Sequence, residues 1–591
     1  MTLGQPLESN LRELIDERLR EHGLLKQAND LETSRREYIF GGALGLGAVL
    51  SGRDAASGLG SGKIGSPSET FREDSVLHSD RGTIVEPDDG RGGGIQRAID
   101  DAAPGDTLLL KPNTTYVTTG TYSDAEAIDI DKPGLTLRGA GSGSRIRHDS
   151  STTDPGEGNK LMKVTADDVT LTNLTIDGNR QSAGDIDNSV DGHNVAILGG
   201  ADRFLMTMVR SVNSTGDGVE PFGTSNGTAT LGIVHGCVFE SNWEQHVHLN
   251  GCKDYVISSN VMRDEINNGL LSTYAAAGQT TERCLVSNNV MRNGENVGLD
   301  IVSGGGTVRN IRIEGNHISK TAGAGVLLNE ATFSDDSPHR ITIANNTIEN
   351  TGKQGIALVP NTEMRDVVVQ NNTIRNTAYS GIYLHAGEVT YRDIEIADNH
   401  IVDPRTGDGR AGAAVKMKTV GGEKHRVRFR GGSVVSKGEV SHDSPGHDQS
   451  EKRSSGQSTV DTAFVTNVRD GGVVQDCAIE DVLVSGCTES ALSALPDGMR
   501  VIGCSGELLT SDSGRATFSA DGERKLFSVP HSLAQCIVDS GCPVSVEPMS
   551  KDAGHERISY VRLDSDALQI AYELPPPEGT DNVTVSWSAG Y

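Results

Sequence analysis

The sequence is poor in aromatic and in basic side chains. Phe, Trp and Tyr make up 4% of its 591 residues, whereas 72 residues are glycine. A wide core built around large rings is therefore not expected, and a narrow core of Val, Ile and Leu is. The 53 Lys and Arg residues are outnumbered by 81 Asp and Glu residues, which gives a formal net charge of -28. Because nucleic acids are held mainly by excess positive charge, this balance argues against a nucleic-acid partner.

Clustered cysteines and long apolar runs are also missing. The eight cysteines form no C-x-x-C pair and no Cys/His spacing typical of zinc, which argues against a structural metal of that kind. No cofactor is predicted, and the sequence leaves a bound Ca²⁺ open. Cys536 and Cys542 are close enough to pair in an exported protein, with buried free thiols as the alternative. The apolar and glycine run that ends at Leu50, about 12 residues long, is too short for an ordinary membrane-spanning helix.

The sequence does contain a repeat. Between residues 218 and 418 a small residue followed by alternating apolar and variable positions recurs every 23 to 31 residues, in step with a second phrase that begins with asparagine. Each phrase predicts a strand that can hide its apolar face only by stacking on its neighbours. The repeat thus predicts a parallel β-helix with stacked asparagines, and with glycine at corners that require a positive φ. The small residues are Gly218, His246, Gly269, Gly298, Gly325, Gly355, Gly381 and Gly412, and the asparagines are Asn260, Asn289, Asn316, Asn346, Asn372 and Asn399.

A helix is predicted to close one end of this solenoid. Residues 95–103 have an amphipathic helical pattern, and the apolar strand pattern of residues 104–112 follows. This order resembles the N-terminal end of pectin-lyase-like β-helices, in which a helix shields the apolar core and the strand edges. The resemblance implies an all-β fold with a single-stranded right-handed parallel β-helix over residues 93–510. An N-terminal helical segment and a small C-terminal β-sandwich-like domain would flank it.

The first 92 residues are predicted to lie outside the solenoid. Residues 6–31 show the leucine spacing of an amphipathic helix, and residues 34–50 resemble a twin-arginine export signal. An assembly anchor that tethers a fibrous protein to a larger particle is the alternative for this segment. Residues 1–50 are thus a helix plus signal or anchor, and residues 51–92 are a Gly/Ser-rich linker.

The repeat also ends before the C-terminus. Residues 438–460 predict a flexible loop, and weaker strands continue the solenoid to about residue 510. Residues 515–591 predict a separate small β-domain, which resembles C-terminal domains of viral tail fibres and of haloarchaeal virus proteins. The acidic, lysine-poor composition is similar to that of proteins from salt-loving archaea.

The outward face of the repeat strands carries the candidate site. The second and fourth residues after each small residue point outward, and on stacked coils they line a groove suited to the hydroxyls and weakly apolar faces of sugars. Polar residues concentrate on the first coils. The candidate catalytic residues are Glu220, His248, Asp300 and Asp217, and the candidate substrate-binding residues are Asn250, Thr273, Tyr383 and His385.

The ladder spacing limits the chemistry of these residues. Glu220 and His248 are one coil apart and can hydrogen-bond, whereas Asp300 is three coils, or about 14 Å, from Glu220. Glycosidase carboxylates lie roughly 5 to 9.5 Å apart, so Glu220 with Asp300 is a poor hydrolase pair, and Asp217 remains as a partner. His248 better suits a lyase or epimerase, as a base that removes a proton next to a sugar carboxylate while Glu220 orients it. A salt-bridged surface pair without a catalytic role is the alternative.

Motifs of known sugar-acting families are absent or incomplete. The N-T-D, G-D-D, G-H-G and R-I-K blocks of polygalacturonases do not occur in this chain. Residues 217–222 are similar to the Y-G-F-D-P-H motif of mannuronan epimerases, with Asp217 in place of Tyr, Glu220 in place of Asp, and Phe222 in place of His. The resemblance covers these six residues alone.

Three functions stay open from the sequence. The first is a glycan-recognising protein similar to viral tail spikes and adhesins, which implies a homotrimer attached to a virion or cell surface through its N-terminal segment. The second is a twin-arginine-exported polysaccharide lyase, epimerase or glycoside hydrolase of the pectin-lyase-like group. The third is a purely structural surface protein. The first two predict a polysaccharide or cell-surface glycan as partner and an extracellular, cell-surface or virion location.

Overall fold

The computed structural model describes the chain between residues 82 and 590, with gaps. The predicted helix of residues 6–31, the signal or anchor of residues 34–50, both Cys536 and Cys542, and nearly all of the predicted loop lie outside the described residues. Within the described ranges no helix is long and apolar enough to cross a membrane. The described residues are 82–88, 91–118, 127–148, 160–180, 192–224, 227–330, 337–385, 388–402, 404, 413–417, 419–435, 460–465, 468–469, 472–485, 487–492, 499–502, 504–506, 511–520, 526–530, 544–549, 558–563 and 567–590.

From Thr83 to Gly506 the chain winds into a right-handed parallel β-helix. Each coil contributes strands in turn to three parallel sheets, named sheet I, sheet II and sheet III in the order in which the chain enters them. The predicted fold class is confirmed. The strand Thr83–Val85 pairs with Thr107–Leu110, so the solenoid begins inside the segment predicted as linker.

The strands of the three sheets have the following bounds. Sheet I contains Thr83–Val85, Thr107–Leu110, Thr136–Arg138, Thr170–Thr172, Leu205–Thr207, Ile233–His235, Val256–Ser258, Thr280–Glu282, Leu285–Ser287, Thr307–Glu314, His339–Ala344, Glu363–Gln370, Thr390–Ala397, Glu423–Arg430, Val473–Gln475, Cys477–Glu480 and Met499–Ile502. Sheet II contains Thr115–Thr118, Arg145–His148, Thr175–Asp177, Arg210–Val212, Val238–Glu240, Val261–Glu265, Val290–Gly294, His317–Thr321, Thr347–Glu349, Thr373–Arg375, His400–Val402, Ser433–Val435, Leu483–Ser485 and Ser505–Gly506. Sheet III contains Ile128–Ile130, Lys160–Val164, His193–Leu198, Glu220–Phe222, Val247–Asn250, Gly269–Ala276, Val297–Gly304, Val326–Glu330, Ile356–Val359, Ile382–Leu384, Ala413–Met417, Val460–Val465 and Cys487–Leu492. A short parallel pair, Thr419–Val420 with Val468–Arg469, lies beside them.

Alternate residues of sheet III fill the core of the solenoid. Apart from Thr273, the paired residues of successive coils are apolar, and all of them are buried in two inward rows, which explains why single strands of this kind need their neighbours. One row contains Val247, Leu271, Leu299, Val326, Ile356 and Ile382, and the other contains Leu249, Thr273, Ile301, Leu328, Leu358 and Leu384.

The predicted asparagine stack is present between sheets I and II. In each step the backbone N–H and the side-chain Nδ2 of one asparagine donate to Oδ1 of the asparagine on the next coil, at 2.9–3.0 Å. The side chains are buried, and Nδ2 also donates to a backbone carbonyl, as from Asn316 to Val286. The ladder therefore satisfies buried polar groups along the corner.

The repeat glycines have a different physical reason from the expected one. Gly298, Gly325 and Gly355 do not have positive φ; instead a Cβ at each would clash with the Cγ2 atom of an isoleucine on the next coil. The left-handed corner before the asparagine ladder is occupied mostly by non-glycine residues such as Asn288 and Asn345, with φ of 55° and 57°, and on one coil by Gly315, with φ of 66°. Close packing between coils, not backbone conformation, requires glycine in the repeat.

The predicted cap covers the N-terminal end of the solenoid. The α-helix α1 (Ile95–Asp101) follows a 3₁₀ turn, Arg91–Gly94, and buries Ile95 and Ile99 completely. Gln96 fixes the helix to the first coil, because its Oε1 accepts the backbone N–H of Asp129 at 2.7 Å. The helix ends two residues earlier than predicted.

Antiparallel pairing replaces the solenoid from Ser511 onward. One sheet contains Ser511–Ala520, Gly579–Gly590 and Val544–Pro548, and the other contains Leu526–Pro530, Ala567–Tyr572 and Ile558–Leu563. The rings of Phe518 and Phe527, one from each sheet, are 5.0 Å apart, so the two sheets pack together as predicted for a sandwich. The strand that begins at Ser511 was not predicted.

Candidate functional site

A cluster of polar side chains lies where the chain enters sheet III on three successive coils. His193 begins one strand, Glu220 begins the next, and His248 is the second residue of the strand after that. Asp217 occupies the corner just before Glu220. The parallel register stacks these coils directly, so residues distant in sequence meet at one edge of the sheet.

Each imidazole of the cluster faces both carboxylates. Nε2 of His193 lies 3.0 Å from Oε2 of Glu220, and its Nδ1 lies 3.3 Å from Oδ2 of Asp217. Nδ1 of His193 is also 3.2 Å from the backbone nitrogen of Asp217. Nδ1 of His248 lies 3.1 Å from Oδ2 of Asp217 and 3.2 Å from Oε1 of Glu220. The contact expected between Glu220 and His248 is therefore present, but within a group of four residues.

Only one member of the cluster reaches solvent to any extent. The side chains of Asp217, Glu220 and His193 are 0%, 7% and 8% exposed, whereas that of His248 is 16% exposed. A carboxylate as buried as Asp217 cannot contact a polymer that lies on the sheet. Asp217, expected as a catalytic residue, therefore lies beneath the sheet surface, in contact with the two imidazoles.

Neighbouring residues fix the two carboxylates. Oδ1 of Asp217 accepts the backbone N–H of Gln245 at 2.8 Å. Oε1 of Glu220 accepts a hydrogen bond from Nδ2 of Asn250 at 3.1 Å. Asn250, expected to bind substrate, therefore also holds Glu220 in place.

Mutual charge shifts the pKa values of all four groups. Burial disfavours the charged forms, but the charge of Glu220 and hydrogen bonds to both carboxylates outweigh burial and raise the pKa of His193 to about 10. Burial is likewise outweighed at His248, whose pKa lies well above its ordinary value because of Asp217 and Glu220. Against the effect of burial, the imidazoles lower the pKa of Asp217 and of Glu220. The raised pKa of His248 favours its protonated form, whereas the base role expected from the sequence requires the neutral imidazole, and this role stays a prediction.

Two outward rows of sheet III continue from the cluster. His248, Ser272 and Asp300 occupy one row on successive coils, and Asn250 and Tyr274 are paired in the other. The ring centroids of His248 and Tyr274 are 5.9 Å apart. An imidazole, an aromatic ring, an amide and a carboxyl group thus lie side by side on a flat face.

Asp300 differs from the other carboxylates of the site. Burial raises its pKa to about 7, and a hydrogen bond from the backbone of Ile301 and the charge of His248 lower it only in part. Its coil neighbours in the row, Ser272 and Leu327, carry no charge. Its Oδ1 atom is buried and accepts no hydrogen bond from the described residues. Asp300 is consequently poised to exchange a proton near neutral pH.

Thr273 does not lie in the groove, contrary to the prediction. It pairs with Leu249 and Ile301 in an inward row and is completely buried. The repeat aligns Gly269 with Gly298, but in the structure Gly269 pairs with Val297. This one-residue shift in register exchanges the inward and outward faces of the strand Gly269–Ala276. Ser272 and Tyr274 take the outward places instead.

Tyr383 and His385 form a second polar group farther along sheet III. Tyr383 Oη lies 3.1 Å from Nδ1 of His385, and Nζ of Lys416 lies 5.4 Å from the centre of the Tyr383 ring. Tyr383 shares the row of His248 but lies five coils beyond it. The structure does not bring this pair to the cluster.

Sequence reasoning missed His193, Ser272 and Tyr274. Residues 194–197 follow the repeat pattern with Asn194 in the place of the small residue, so extension of the ladder by one coil would have placed His193 beside Asp217. Ser272 and Tyr274 were hidden by the one-residue offset of their strand.

Comparison with known proteins supports the fold. The family described as "Right handed beta helix region" matches residues 336–421, which lie beyond the His/carboxylate cluster. No curated protein matches the chain.

Solved structures with similar folds include sugar-modifying and sugar-binding proteins. The A-module of mannuronan C-5 epimerase AlgE4 from Azotobacter vinelandii is 16% identical, covers 72% of this chain and 98% of its own, and has a TM-score of 0.39. The corresponding module of AlgE6 from the same organism is 18% identical, over 72% of this chain and 97% of its own, with a TM-score of 0.40. A tailspike protein of the E. coli bacteriophage HK620, in complex with a pentasaccharide, is 11% identical over 86% of this chain and 90% of its own, with a TM-score of 0.45. Matches at this level do not specify a substrate.

Proposed function

We propose that the outer face of sheet III binds a polysaccharide. The observation that carries this proposal is that His248 and Asp300 in one outward row, and Asn250 and Tyr274 in the neighbouring row, lie on three successive coils of a flat sheet. Such a surface offers hydrogen-bond donors and acceptors for hydroxyl groups, and an aromatic face for a sugar ring.

The proposed groove has the length and the apolar surface that a polymer needs. From His248 to Tyr383 the row spans five coil steps, or about 24 Å at roughly 4.8 Å per step. Between these ends, Leu327 and Val359 pack outside the solenoid as half-buried apolar side chains, together with Tyr383. A chain of several sugars lying along the solenoid axis would alternate polar contacts with contacts to these apolar side chains.

Catalysis on an acidic sugar is a second function that one observation favours. Asp300 combines a pKa of about 7 with a buried Oδ1 that lacks a partner among the described residues. A carboxylate with these properties suits removal of the proton next to a sugar carboxylate, the step shared by lyases and epimerases. Ionised Asp300 accepts the carbon-bound proton on its carboxylate, and the electron pair moves into the sugar carboxylate. His248, about 10 Å away along the row, then contacts the same sugar or its neighbour.

The setting of this activity is also a proposal. The segment order inferred from the sequence supports an extracellular, cell-surface or virion-associated homotrimer attached through its N-terminal segment. Light scattering of the purified chain tests the trimer directly, and a monomer would contradict the tail-spike-like assembly. A purely structural surface protein is the outcome if no glycan binds.

A glycan array, followed by incubation with the glycans that bind, tests both functions. The Tyr274→Ala variant should lose at least about 10-fold in binding, because its ring supplies the aromatic contact. Val368→Ala, a truncation on the outer face of sheet I, is the matched control and should bind normally. Equal binding by the two variants would exclude this groove.

Product analysis separates binding from turnover. Asp300→Asn should bind glycan but release unsaturated sugar ends, or invert the sugar centre, about 10²- to 10⁴-fold more slowly than the unaltered protein. If the unaltered protein binds glycan without any product, the catalytic function fails and the binding function stands.

A further inference from the structure

We propose that His193, Asp217 and Glu220, with His248 at the rim, bind one divalent transition-metal ion. This proposal does not depend on the glycan-binding function. Ligand atoms from His193, Asp217 and Glu220 all lie within 4.8 Å of one another. Among the residues that the structure describes, this is the one group of three or more such side chains that meets that condition.

The contact distances match those between neighbouring ligands of one ion. Imidazole and carboxylate ligands bind zinc at about 2.0–2.2 Å, so adjacent ligand atoms at angles near 90–110° are separated by about 3.0–3.4 Å. One ion can bind only one nitrogen of each ring. With Nε2 of His193 and Nδ1 of His248 as ligands, the distances to the carboxylate oxygens are 3.0 Å for His193 and 3.1 and 3.2 Å for His248. An ion could therefore replace the hydrogen bonds with small side-chain movements.

The cluster also has the supporting contacts of a metal centre. Nε2 of His193 faces Glu220 while its Nδ1 faces Oδ2 of Asp217, so a ligand through Nε2 would have its tautomer and orientation set by a buried carboxylate. Asp217 is in turn held by the backbone N–H of Gln245. Oδ2 of Asp217, which faces both imidazoles, is the oxygen that would bind the ion.

Unpaired oxygen atoms on two residues that contact the cluster, Gln245 through its backbone and Asn250 through its side chain, are a second observation. Oε1 of Gln245 and Oδ1 of Asn250 are buried and accept no hydrogen bond from the described residues. The Gln245 residue is only 6% exposed, and the Asn250 side chain already contacts Glu220 through Nδ2. Buried amide oxygens without donors are costly, and an ion with its bound waters would supply the missing partners.

The donor set selects the class of ion. Ca²⁺ and Mg²⁺ prefer oxygen ligands throughout, whereas imidazole together with carboxylates suits the first-row ions from Mn²⁺ to Zn²⁺. The Ca²⁺ left open by the sequence therefore does not fit this cluster. Among the transition ions, Zn²⁺ should bind more tightly than Mn²⁺.

Titration of the metal-stripped full chain with ZnCl₂, MnCl₂ and CaCl₂ in a calorimeter tests the proposal. We expect one Zn²⁺ per chain, weaker binding of Mn²⁺, and no competition from millimolar Ca²⁺. Glu220→Gln and His193→Ala should each weaken Zn²⁺ binding at least about 100-fold. His317→Ala removes an exposed imidazole that pairs with Glu349 at 3.1 Å, and this control should bind Zn²⁺ normally.

A spectroscopic measurement keeps the test independent of variant folding. Co²⁺ added to the unaltered protein should give the visible absorption of a nitrogen- and oxygen-ligated ion, and Zn²⁺ should abolish it. Absence of Zn²⁺ and Co²⁺ binding by the unaltered protein would overturn the proposal. Equal binding by folded Glu220→Gln and His317→Ala would also overturn it.

Discussion

At the residue scale, the groups around a carboxylate decide its charge even within one row of sheet III. Glu220 faces two imidazoles, which outweigh its burial and lower its pKa. Asp300, on the same row, has uncharged neighbours in Ser272 and Leu327, so burial prevails and raises its pKa to about 7. Sequence reasoning identified both acids. It could not predict that their pKa values shift in opposite directions, because the pKa of Glu220 depends on His193, which lies one coil before it.

The raised pKa of Asp300 predicts a pH-dependent stability. The folded chain prefers protonated Asp300, whereas the unfolded chain ionises it near pH 4, so the free energy of unfolding should fall as pH rises from about 4 to about 7. Asp300→Asn removes this loss. Denaturant unfolding should show the variant about 1–3 kcal/mol more stable than the unaltered chain at pH 8 and nearly equal to it at pH 4. A difference that is the same at both pH values would contradict the raised pKa.

At the element scale, the repeat predicted that the coils stack, but it predicted less well which side chains of each strand face inward and which face outward. The asparagine ladder and most of the inward rows were predictable, because a repeat of this length brings equivalent residues together only when the coils stack. Thr273 was predicted to face outward, but a one-residue shift in the register of the strand Gly269–Ala276 turns it inward. The apolar pattern of the sequence does not reveal this shift. The positions of the repeat glycines were predicted correctly. The reason that glycine is needed there, close contact with an isoleucine of the next coil, cannot be read from one sequence.

Glycine packing gives a prediction with an internal control. A Cβ at Gly325 would clash with Cγ2 of Ile348 and lie 2.7 Å from the carbonyl oxygen of Gly355, whereas at Gly269 the nearest atom would be 3.3 Å away. Gly325→Ala should therefore lower the free energy of unfolding by about 1–3 kcal/mol. Gly269→Ala should change it by less than about 1 kcal/mol. Chemical denaturation of both variants checks the prediction, and equal effects would argue against inter-coil crowding as the reason for glycine.

At the scale of the whole molecule, residues one repeat apart in the sequence of the solenoid lie on adjacent coils along its axis. The fold class, the helix that caps the N-terminal end, and the β-rich C-terminal region were predictable, since each depends on local patterns. The His/carboxylate cluster was predictable only in part, because its members come from successive coils at no fixed short spacing. The domain boundaries proposed for residues 1–50 and 51–92 stay predictions, apart from the strand Thr83–Val85, which belongs to the solenoid.

The most direct test of the proposed groove is calorimetry with a graded series of oligosaccharides from a polymer that binds. Because the row from His248 to Tyr383 spans about 24 Å, affinity should rise with oligosaccharide length until the ligand fills that span, and then level off. Tyr274→Ala should weaken binding of the longer members. Affinity that does not change beyond a disaccharide, or that Tyr274→Ala leaves intact, would contradict binding along sheet III.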